Sequence, residues 1–339
     1  MTPVNVALIG YGLAGRVFHA PMIAAVQGLT LAAVVSSREE EIRKRHPAIT
    51  VVRDSDEVFR DPSIALVVVA TPNDSHFDLA ARALKHGKHV VIDKPFALSS
   101  TEARELIALA RGRLLSVFHN RRWDSDFLTL KRLIADGTLG EVAYLESHFD
   151  RLRPAVTPRW RERAGPATGI WYDLGSHLID QALQLFGRPL AIFADLAARR
   201  PGAVTSDYFH AVLRYEKLRA VLKGDSLARA DDTRFIVHGT RASYIKHGLD
   251  AQEPYLAAGG DPGDSEFGID PRPGEIVLAG GAHHRVAAVR GDYRLYYCGV
   301  RETLRGTAPV PVTAGEALAV MEVLEAGERS SRERHEIPL

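Results

Sequence analysis

Three glycines near the start of the chain, Gly10, Gly12 and Gly15, have a spacing with a mechanical use. They belong to Gly10-Tyr11-Gly12-Leu13-Ala14-Gly15, which directly follows the mostly apolar run 4–9. In such a G-x-G-x-x-G turn the first glycine permits the tight bend, and the second lets the backbone approach a pyrophosphate. The third lets the next helix pack closely on the strand. The pattern therefore predicts a dinucleotide site, and an ordinary glycine-rich turn is the other interpretation.

A second strand, predicted over 29–35, ends in Ser36-Ser37-Arg38. Ser36 lies 21 residues after Gly15, where a site for NAD usually carries an acid that hydrogen-bonds the ribose 2′-hydroxyl. Serine hydroxyls and a guanidinium instead suit a 2′-phosphate. We therefore expect NADP, with NAD as the alternative. A solvated polar loop that opens the next helix is the other interpretation.

Two further turns follow predicted strands and carry polar side chains. The apolar run 65–70 leads into Thr71-Pro72-Asn73 and His76, and the run 89–92 leads into Asp93-Lys94-Pro95. Ligands of open α/β sheets bind at the carboxyl ends of the strands. Cofactor contacts are therefore expected from both turns, namely from Thr71, Pro72, Asn73, His76, Asp93 and Lys94.

Lys94, Asp173 and His177 have side chains that could assist a reaction in which a hydride leaves a carbon and a proton leaves the oxygen bound to it. A lysine at the cofactor crevice can donate to a substrate oxygen and stabilise the negative charge that develops there. Histidine titrates near neutral pH and can take a proton as the hydride leaves. Asp173 stands four residues before His177, a spacing that puts both on one helical face. A surface lysine, a helix N-cap and a core histidine are the respective alternatives.

No metal centre is expected. Asp173 and His177 lack a third ligand at a characteristic spacing, and a catalytic zinc usually needs three. The adjacent pair His283-His284 does not point together.

Two segments rich in arginine and tryptophan supply planar, hydrogen-bonding side chains. They are Asn120-Arg121-Arg122-Trp123-Asp124 and Arg159-Trp160-Arg161. Asn120, Arg122, Trp160 and Arg161 are candidates to close over a nicotinamide, and Arg122 and Tyr172 to contact a substrate. Interdomain salt bridging is an equally weighted interpretation.

The predicted secondary structure that must position these residues changes near residue 120, from alternating strands and helices to consecutive strands. The strand–helix rhythm before that point predicts a doubly wound parallel sheet. Later strands follow one another through short polar turns, which predicts an open, mainly antiparallel sheet in a second α/β domain. We expect domains at 1–119 and 120–339, with a helix at about 314–327 packing back on the first. The Gly-, Asp- and Pro-rich stretch 251–274 predicts a long surface excursion.

Composition excludes several classes of protein. The 339 residues carry a net charge of +1 with both signs interspersed, so neither a nucleic-acid footprint nor attraction to anionic membranes is expected. The single cysteine, Cys298, excludes an intrachain disulfide framework and fits a reducing compartment. No signal peptide or membrane span is apparent, and a cytoplasmic location is expected.

The order and spacing of these motifs resemble the glucose–fructose oxidoreductase, inositol dehydrogenase and rhizopine-catabolism family (Gfo/Idh/MocA) over essentially the whole chain. The marks are the glycine turn, Thr71-Pro72-Asn73 with His76, Asp93-Lys94-Pro95 and Asp173-Leu174-Gly175-Ser176-His177. Residues 120–124 and 171–187 look most like the branch that contains NADP-dependent scyllo-inositol dehydrogenase. The family usually has Glu before the lysine, whereas this chain has Asp93, so we expect an altered contact rather than lost activity.

The resemblance implies that Lys94, Asp173 and His177 correspond to the family's catalytic lysine, aspartate and histidine. His177 would then accept a hydroxyl proton, Lys94 would polarise the same oxygen, and Asp173 would hold an adjacent hydroxyl or orient the imidazole. It further implies a polyol or sugar as substrate and a homodimer or homotetramer. Two alternatives stay open, namely an NADP-bound sensor and a glycoside hydrolase that uses a nicotinamide transiently.

Overall fold

The chain forms two compact units, which are described separately. A computed structural model describes residues 3–229 and 232–339. The first unit comprises the chain up to Asn120 together with Gln252–Phe267 and Asp292–Leu318. The second comprises Arg121–Ala251, Gly268–Gly291 and Ala319–Leu339.

A six-stranded parallel sheet forms the centre of the first unit. Its strands are β1 (Val4–Ile9), β2 (Leu29–Val35), β3 (Thr50–Val52), β4 (Leu66–Val69), β5 (His89–Ile92) and β6 (Leu115–Val117). They lie in the order β3-β2-β1-β4-β5-β6, the strand order of a dinucleotide-binding doubly wound fold. Every residue of β4 is buried, as a parallel strand covered on both faces requires. The predicted parallel sheet is confirmed.

Short helices connect these strands. They are α1 (Ala20–Ala25), α2 (Glu39–Arg45), α3 (Ser55–Arg60), α4 (His76–Lys85) and α5 (Ser100–Ala110). A π-helical turn, Gly15–His19, precedes α1 directly after the glycine turn. In α2 three glutamates occupy the first turn and three basic residues the last, which complements the helix dipole.

The second unit is built on a nine-stranded mixed sheet. Its strands are β7 (Val142–His148), β8 (Ala191–Ala197), β9 (Tyr208–Arg214), β10 (Arg219–Asp225), β11 (Thr233–Gly239), β12 (Ala242–His247), β13 (Gly274–Leu278), β14 (His283–Val286) and β15 (Ile337–Pro338). The order is β14-β13-β12-β11-β7-β10-β9-β8-β15. Among the described residues, β7 and β10 are the only neighbours in this sheet that pair in parallel. The predicted mainly antiparallel sheet is confirmed.

The remaining helices are α6 (Ser125–Ala135), α7 (Ser176–Phe186), α8 (Gln252–Ala257), α9 (Arg294–Leu304) and α10 (Ala314–Glu333). A second π-helical turn, Trp171–Gly175, runs directly into α7. The helix α10 belongs to the second unit from Ala319 onward. No helix within 3–229 or 232–339 has both the length and the apolar character needed to cross a bilayer.

The prediction of a surface excursion over 251–274 is wrong for its first part. Residues 252–257 form α8, and Leu256 and Phe267 are buried in the first unit. The Gln252 side chain accepts a hydrogen bond of 2.8 Å from the backbone N–H of Tyr293. A few anchoring residues hold this segment against the unit, although its overall composition is that of a loop.

Arg234 organises the interior of the second unit, where it is 1% exposed. Its guanidinium donates to Asp126 at 2.8 Å, to Ser147 at 2.8 Å and to the side-chain oxygen of Gln181 at 2.7 Å. These partners lie on α6, β7 and α7. A single buried cation therefore joins α7 to the sheet.

Arg234→Met is expected to lower the free energy of unfolding of the second unit by about 3–5 kcal/mol, because Asp126 would remain as a buried, uncompensated charge. Denaturant unfolding followed by circular dichroism measures this change. Arg285→Met, at an exposed position of β14, is the matched control and should alter the free energy by less than about 0.5 kcal/mol. Equal effects of the two substitutions would contradict the role of Arg234.

Candidate active site

The glycine turn has the geometry that a dinucleotide requires. Gly10 has a φ of +98°, and a Cβ on it would lie 2.6 Å from the carbonyl oxygen of Ala70. A Cβ on Gly15 would lie 2.1 Å from the carbonyl oxygen of Gly10. A Cβ on Gly12, by contrast, would meet no atom within 4 Å. Close backbone packing thus explains the first and third glycines, whereas the open space at Gly12 fits an approaching pyrophosphate.

The end of β2 presents hydroxyls and a guanidinium. Ser36 Oγ accepts the backbone N–H of Arg38 at 3.1 Å, and the Arg38 side chain is 55% exposed. Its Nη1 lies 3.4 Å from Glu41 Oε2. Arg16, which directly follows Gly15, places its Nε 3.4 Å from the other oxygen of the same carboxylate. The turn around 36–38 therefore has the donors that a 2′-phosphate needs.

His76 joins the two turns that follow β4 and β5. Its Nδ1 lies 2.9 Å from the carbonyl oxygen of Pro95, and its Nε2 lies 3.0 Å from that of Thr71. Burial lowers the pKa of His76 and outweighs the opposing effects of Asp93 and of the Pro95 and Thr71 carbonyl oxygens. A neutral ring carries one N–H and can donate to only one of these two carbonyl oxygens. Asn73 is buried in the same turn. The His76 ring therefore contacts both turns, which carry Thr71, Pro72 and Lys94.

Asp93 fixes the backbone at Lys94. Its carboxylate accepts the N–H of Lys94 at 2.8 Å and lies 3.9 Å from His19 Nε2. The other ring nitrogen of His19 lies 2.6 Å from the hydroxyl of Tyr297. Burial favours the neutral acid, but His19 and Lys94 outweigh it and lower the pKa of Asp93 to about 2. The carboxylate is consequently ionised at neutral pH, and this electrostatic stabilisation is lost only as the pH falls from about 3.9 toward 2.

The π-helical turn before α7 is held by one buried tryptophan. Trp171 Nε1 donates to the carbonyl oxygen of Leu324 at 3.0 Å. A Cβ on Gly175 would lie 2.8 Å from this ring, and one on Gly327 would lie 2.4 Å from it. The indole thus occupies a slot between two glycines. Turns of this kind are frequent at functional sites.

Asp173 lies inside that turn and pairs with Arg161. The Arg161 Nε is 3.1 Å from Asp173 Oδ1, and the guanidinium carbon lies 4.4 Å from the centre of the Trp160 ring. The N-cap interpretation of Asp173 is wrong, because the helical turn already begins after Ile170. The structure therefore brings together Trp160, Arg161 and Asp173, which the sequence presents as separate candidates.

His177 and Tyr172 are both buried on this part of the second unit. His177 is 5% exposed. The hydroxyl of Tyr172 donates to Glu328 at 3.0 Å, and burial raises the pKa of Tyr172. The hydroxyl that was predicted to contact a substrate is thus hydrogen-bonded to α10.

Arg122 forms a buried ion pair with Asp180 on α7. Its Nε lies 2.9 Å from Asp180 Oδ2 and its Nη2 lies 2.6 Å from Oδ1. Gln181 donates to the carbonyl oxygen of Arg121 at 2.9 Å. These contacts fix the helix that carries His177, but they do not form the interdomain salt bridge that was the alternative for Arg122, and its contact with a ligand stays a prediction. The pair lies within the second unit.

The predicted residues are divided between the two units. Lys94 and Asn120 lie in the first, and Asp173 and His177 lie in the second. The convergence of lysine, aspartate and histidine on one carbon stays a prediction. Within the described ranges 3–229 and 232–339, no group of three or more His, Cys, Asp and Glu side chains is arranged to hold a metal ion.

Comparisons with known proteins identify both halves of the chain. A family model described as "Oxidoreductase family, NAD-binding Rossmann fold" matches residues 4–120. One described as "Oxidoreductase family, C-terminal alpha/beta domain" matches residues 131–339. The chain belongs to the Gfo/Idh/MocA family. It is therefore an oxidoreductase with an NAD(P)-binding fold, and the family predicted from the motifs is confirmed.

Several Gfo/Idh/MocA proteins are similar over almost their full length. The uncharacterised oxidoreductase YdgJ of Escherichia coli (strain K12) is 52% identical over 98% of this chain and 97% of its own. The scyllo-inositol 2-dehydrogenase (NADP(+)) IolW of Bacillus subtilis (strain 168) is 41% identical over 99% of this chain and 96% of its own. YPO2259 of Yersinia pestis, described as an oxidoreductase, has a solved structure with a TM-score of 0.96 at 50% identity, covering 100% and 97% of the two chains. The chain is an NAD(P)-dependent dehydrogenase.

Sequence reasoning missed several residues that shape the site. Arg16 and Glu41 flank the end of β2, and the basic residue directly after Gly15 was an available signal for the first of them. Asp180, Gln181 and Arg234 position α7 through contacts distant in sequence, for which no local pattern exists.

Gly12→Ala is expected to weaken NADPH binding by about tenfold or more while leaving the melting temperature unchanged. The added methyl group enters open space in the fold but obstructs the approach of the pyrophosphate. Gly15→Ala is the matched comparison, and it should lower the melting temperature because its Cβ meets the Gly10 carbonyl. Titration of NADPH fluorescence and thermal unfolding measure the two effects. Unchanged NADPH affinity in Gly12→Ala would contradict the assignment of this turn.

Proposed function

We propose that the protein is an NADP-dependent oxidoreductase that interconverts a secondary alcohol and a ketone of a cyclic polyol or sugar, in the manner of a scyllo-inositol dehydrogenase. The observation that carries this proposal is the 41% identity to IolW over nearly the whole of both chains. The motif Asp173-Leu174-Gly175-Ser176-His177 and Lys94 supply the groups for such a reaction.

The choice of NADP rests on the end of β2. Residues 36–38 carry two hydroxyls and a guanidinium, and a 2′-phosphate is recognised by such donors. Arg16 adds a second positive charge beside Arg38, since both approach Glu41. This excess of positive charge supports NADP over NAD.

The chemical roles follow from the side chains. A bound nicotinamide would supply the hydride acceptor or donor at its C4 position. The ammonium of Lys94 would polarise the substrate oxygen, and its backbone is held by Asp93. The imidazole of His177 would take the hydroxyl proton during oxidation and return it during reduction. Asp173, whose Oδ1 lies 3.1 Å from Arg161 Nε, would accept a hydrogen bond from a neighbouring substrate hydroxyl.

A substrate panel tests this function directly. The purified chain with NADP⁺ should oxidise scyllo-inositol or a related cyclic polyol or sugar, with absorbance rising at about 340 nm. Release of free sugar from a glycoside without net NADPH formation would instead support the hydrolase. Tight NADPH binding with no turnover of any inositol, aldose or keto derivative would support a sensor.

His177→Ala is expected to reduce kcat by about 10²- to 10⁴-fold, because general acid–base assistance has that magnitude. NADPH affinity should stay within about twofold, since cofactor contacts are expected mainly from the first unit. Steady-state kinetics and NADPH titration measure the two quantities. His210→Ala, on β9 of the same unit, removes a histidine outside the proposed site and serves as the control, for which kcat should stay unchanged. Unchanged kcat in His177→Ala would remove this residue from the mechanism.

A further inference from the structure

One carboxylate pairs with two arginines near the end of β2. Glu41 Oε1 lies 3.4 Å from Arg16 Nε, and Glu41 Oε2 lies 3.4 Å from Arg38 Nη1. The three side chains are 40%, 33% and 55% exposed, respectively. The carboxylate therefore lies between the cation after the glycine turn and the cation after β2.

Glu41 differs in this respect from its neighbours in the first turn of α2. Glu39 accepts a hydrogen bond of 2.9 Å from Arg43, one turn further along the helix. Glu40 is exposed. All three glutamates have the same favourable interaction with the helix dipole. Only the Glu41 carboxylate reaches back to the arginines beside the expected 2′-phosphate.

We propose that Glu41 is an internal counter-ion that the 2′-phosphate of NADP must displace from Arg16 and Arg38. Glu41 thereby weakens NADP binding and reduces the selectivity for NADP over NAD. This inference rests on the NADP assignment under Proposed function. With NAD bound, both Arg–Glu contacts persist, and each arginine keeps the shared carboxylate as its partner. With NADP bound, the 2′-phosphate takes the place of the Glu41 carboxylate on the guanidinium groups. The two anions, phosphate and carboxylate, also repel each other.

The partial exposure of these groups sets the size of the effect. Exposed ion pairs are individually weak and screened by salt, so the phosphate can displace them. Two such pairs, together with the repulsion between two anions, correspond to an effect of about three- to tenfold on NADP affinity. The effect should decrease as ionic strength rises.

The test compares Glu41→Gln with Glu40→Gln in the full chain. NADPH and NADH dissociation constants are measured by fluorescence titration at about 0.05 M and about 0.5 M salt. In Glu41→Gln at low salt, NADPH should bind about three- to tenfold more tightly and NADH within about twofold of the wild type. Glu40→Gln should change neither. Unchanged or weaker NADPH binding in Glu41→Gln, or an equal gain for both cofactors, would overturn the proposal.

Arg38→Ala separates this proposal from the cofactor assignment. It should weaken NADPH binding by about tenfold or more and NADH binding much less, and it should reduce the gain from Glu41→Gln in the double variant. If Arg38→Ala weakens both cofactors equally, the NADP assignment fails and the role of Glu41 fails with it. If Arg38→Ala is selective for NADPH but Glu41→Gln has no effect, only the role of Glu41 fails.

Discussion

The first unit depends on a close contact between backbone atoms in its glycine turn. A Cβ on Gly15 would lie 2.1 Å from the carbonyl oxygen of Gly10, so the turn can close only without a side chain there. The π-helical turn that follows begins at Gly15 itself. This contact sets where β1 ends and where the first helical N–H groups lie. The positions of Gly12 and Arg16 both follow from it.

In the second unit, too, glycines allow close packing around a π-helical turn. The indole of Trp171 packs against Gly175 and Gly327, where a Cβ atom would clash with the ring. The turn that holds this ring is again π-helical and carries Asp173. In each unit, therefore, a missing side chain allows a wide helical turn to be fixed beside predicted functional residues. The two solutions use different partners, namely a carbonyl oxygen in one case and an aromatic ring in the other.

Local patterns in the sequence predicted the architecture well because the relevant signals are local. An apolar run followed by G-x-G-x-x-G specifies a strand and its turn within twelve residues, and the alternation of buried and half-buried residues in β9 specifies an antiparallel strand with one covered face. The pairing of Arg122 with Asp180 spans 58 residues, and that of Trp171 with Leu324 spans 153. No short-range sequence pattern predicts contacts between residues so far apart in the chain. The same limit explains why the composition of 251–274 predicts a surface excursion, since the buried side chains of Leu256 and Phe267 lie in a stretch rich in Gly, Asp and Pro.

Arginines illustrate how the surroundings, rather than the residue type, decide between a structural and a ligand-binding role. Arg122 and Arg234 are almost fully buried and face fixed acceptors. Loss of one partner there leaves a desolvated charge, so these side chains are unsuited to exchanging partners during a catalytic cycle. Arg16 and Arg38 are partly exposed and approach one shared carboxylate at 3.4 Å. Weak, solvated pairs can be exchanged at little cost. The proposed 2′-phosphate site calls for cations of this second kind, because the phosphate would have to be bound and released in every turnover.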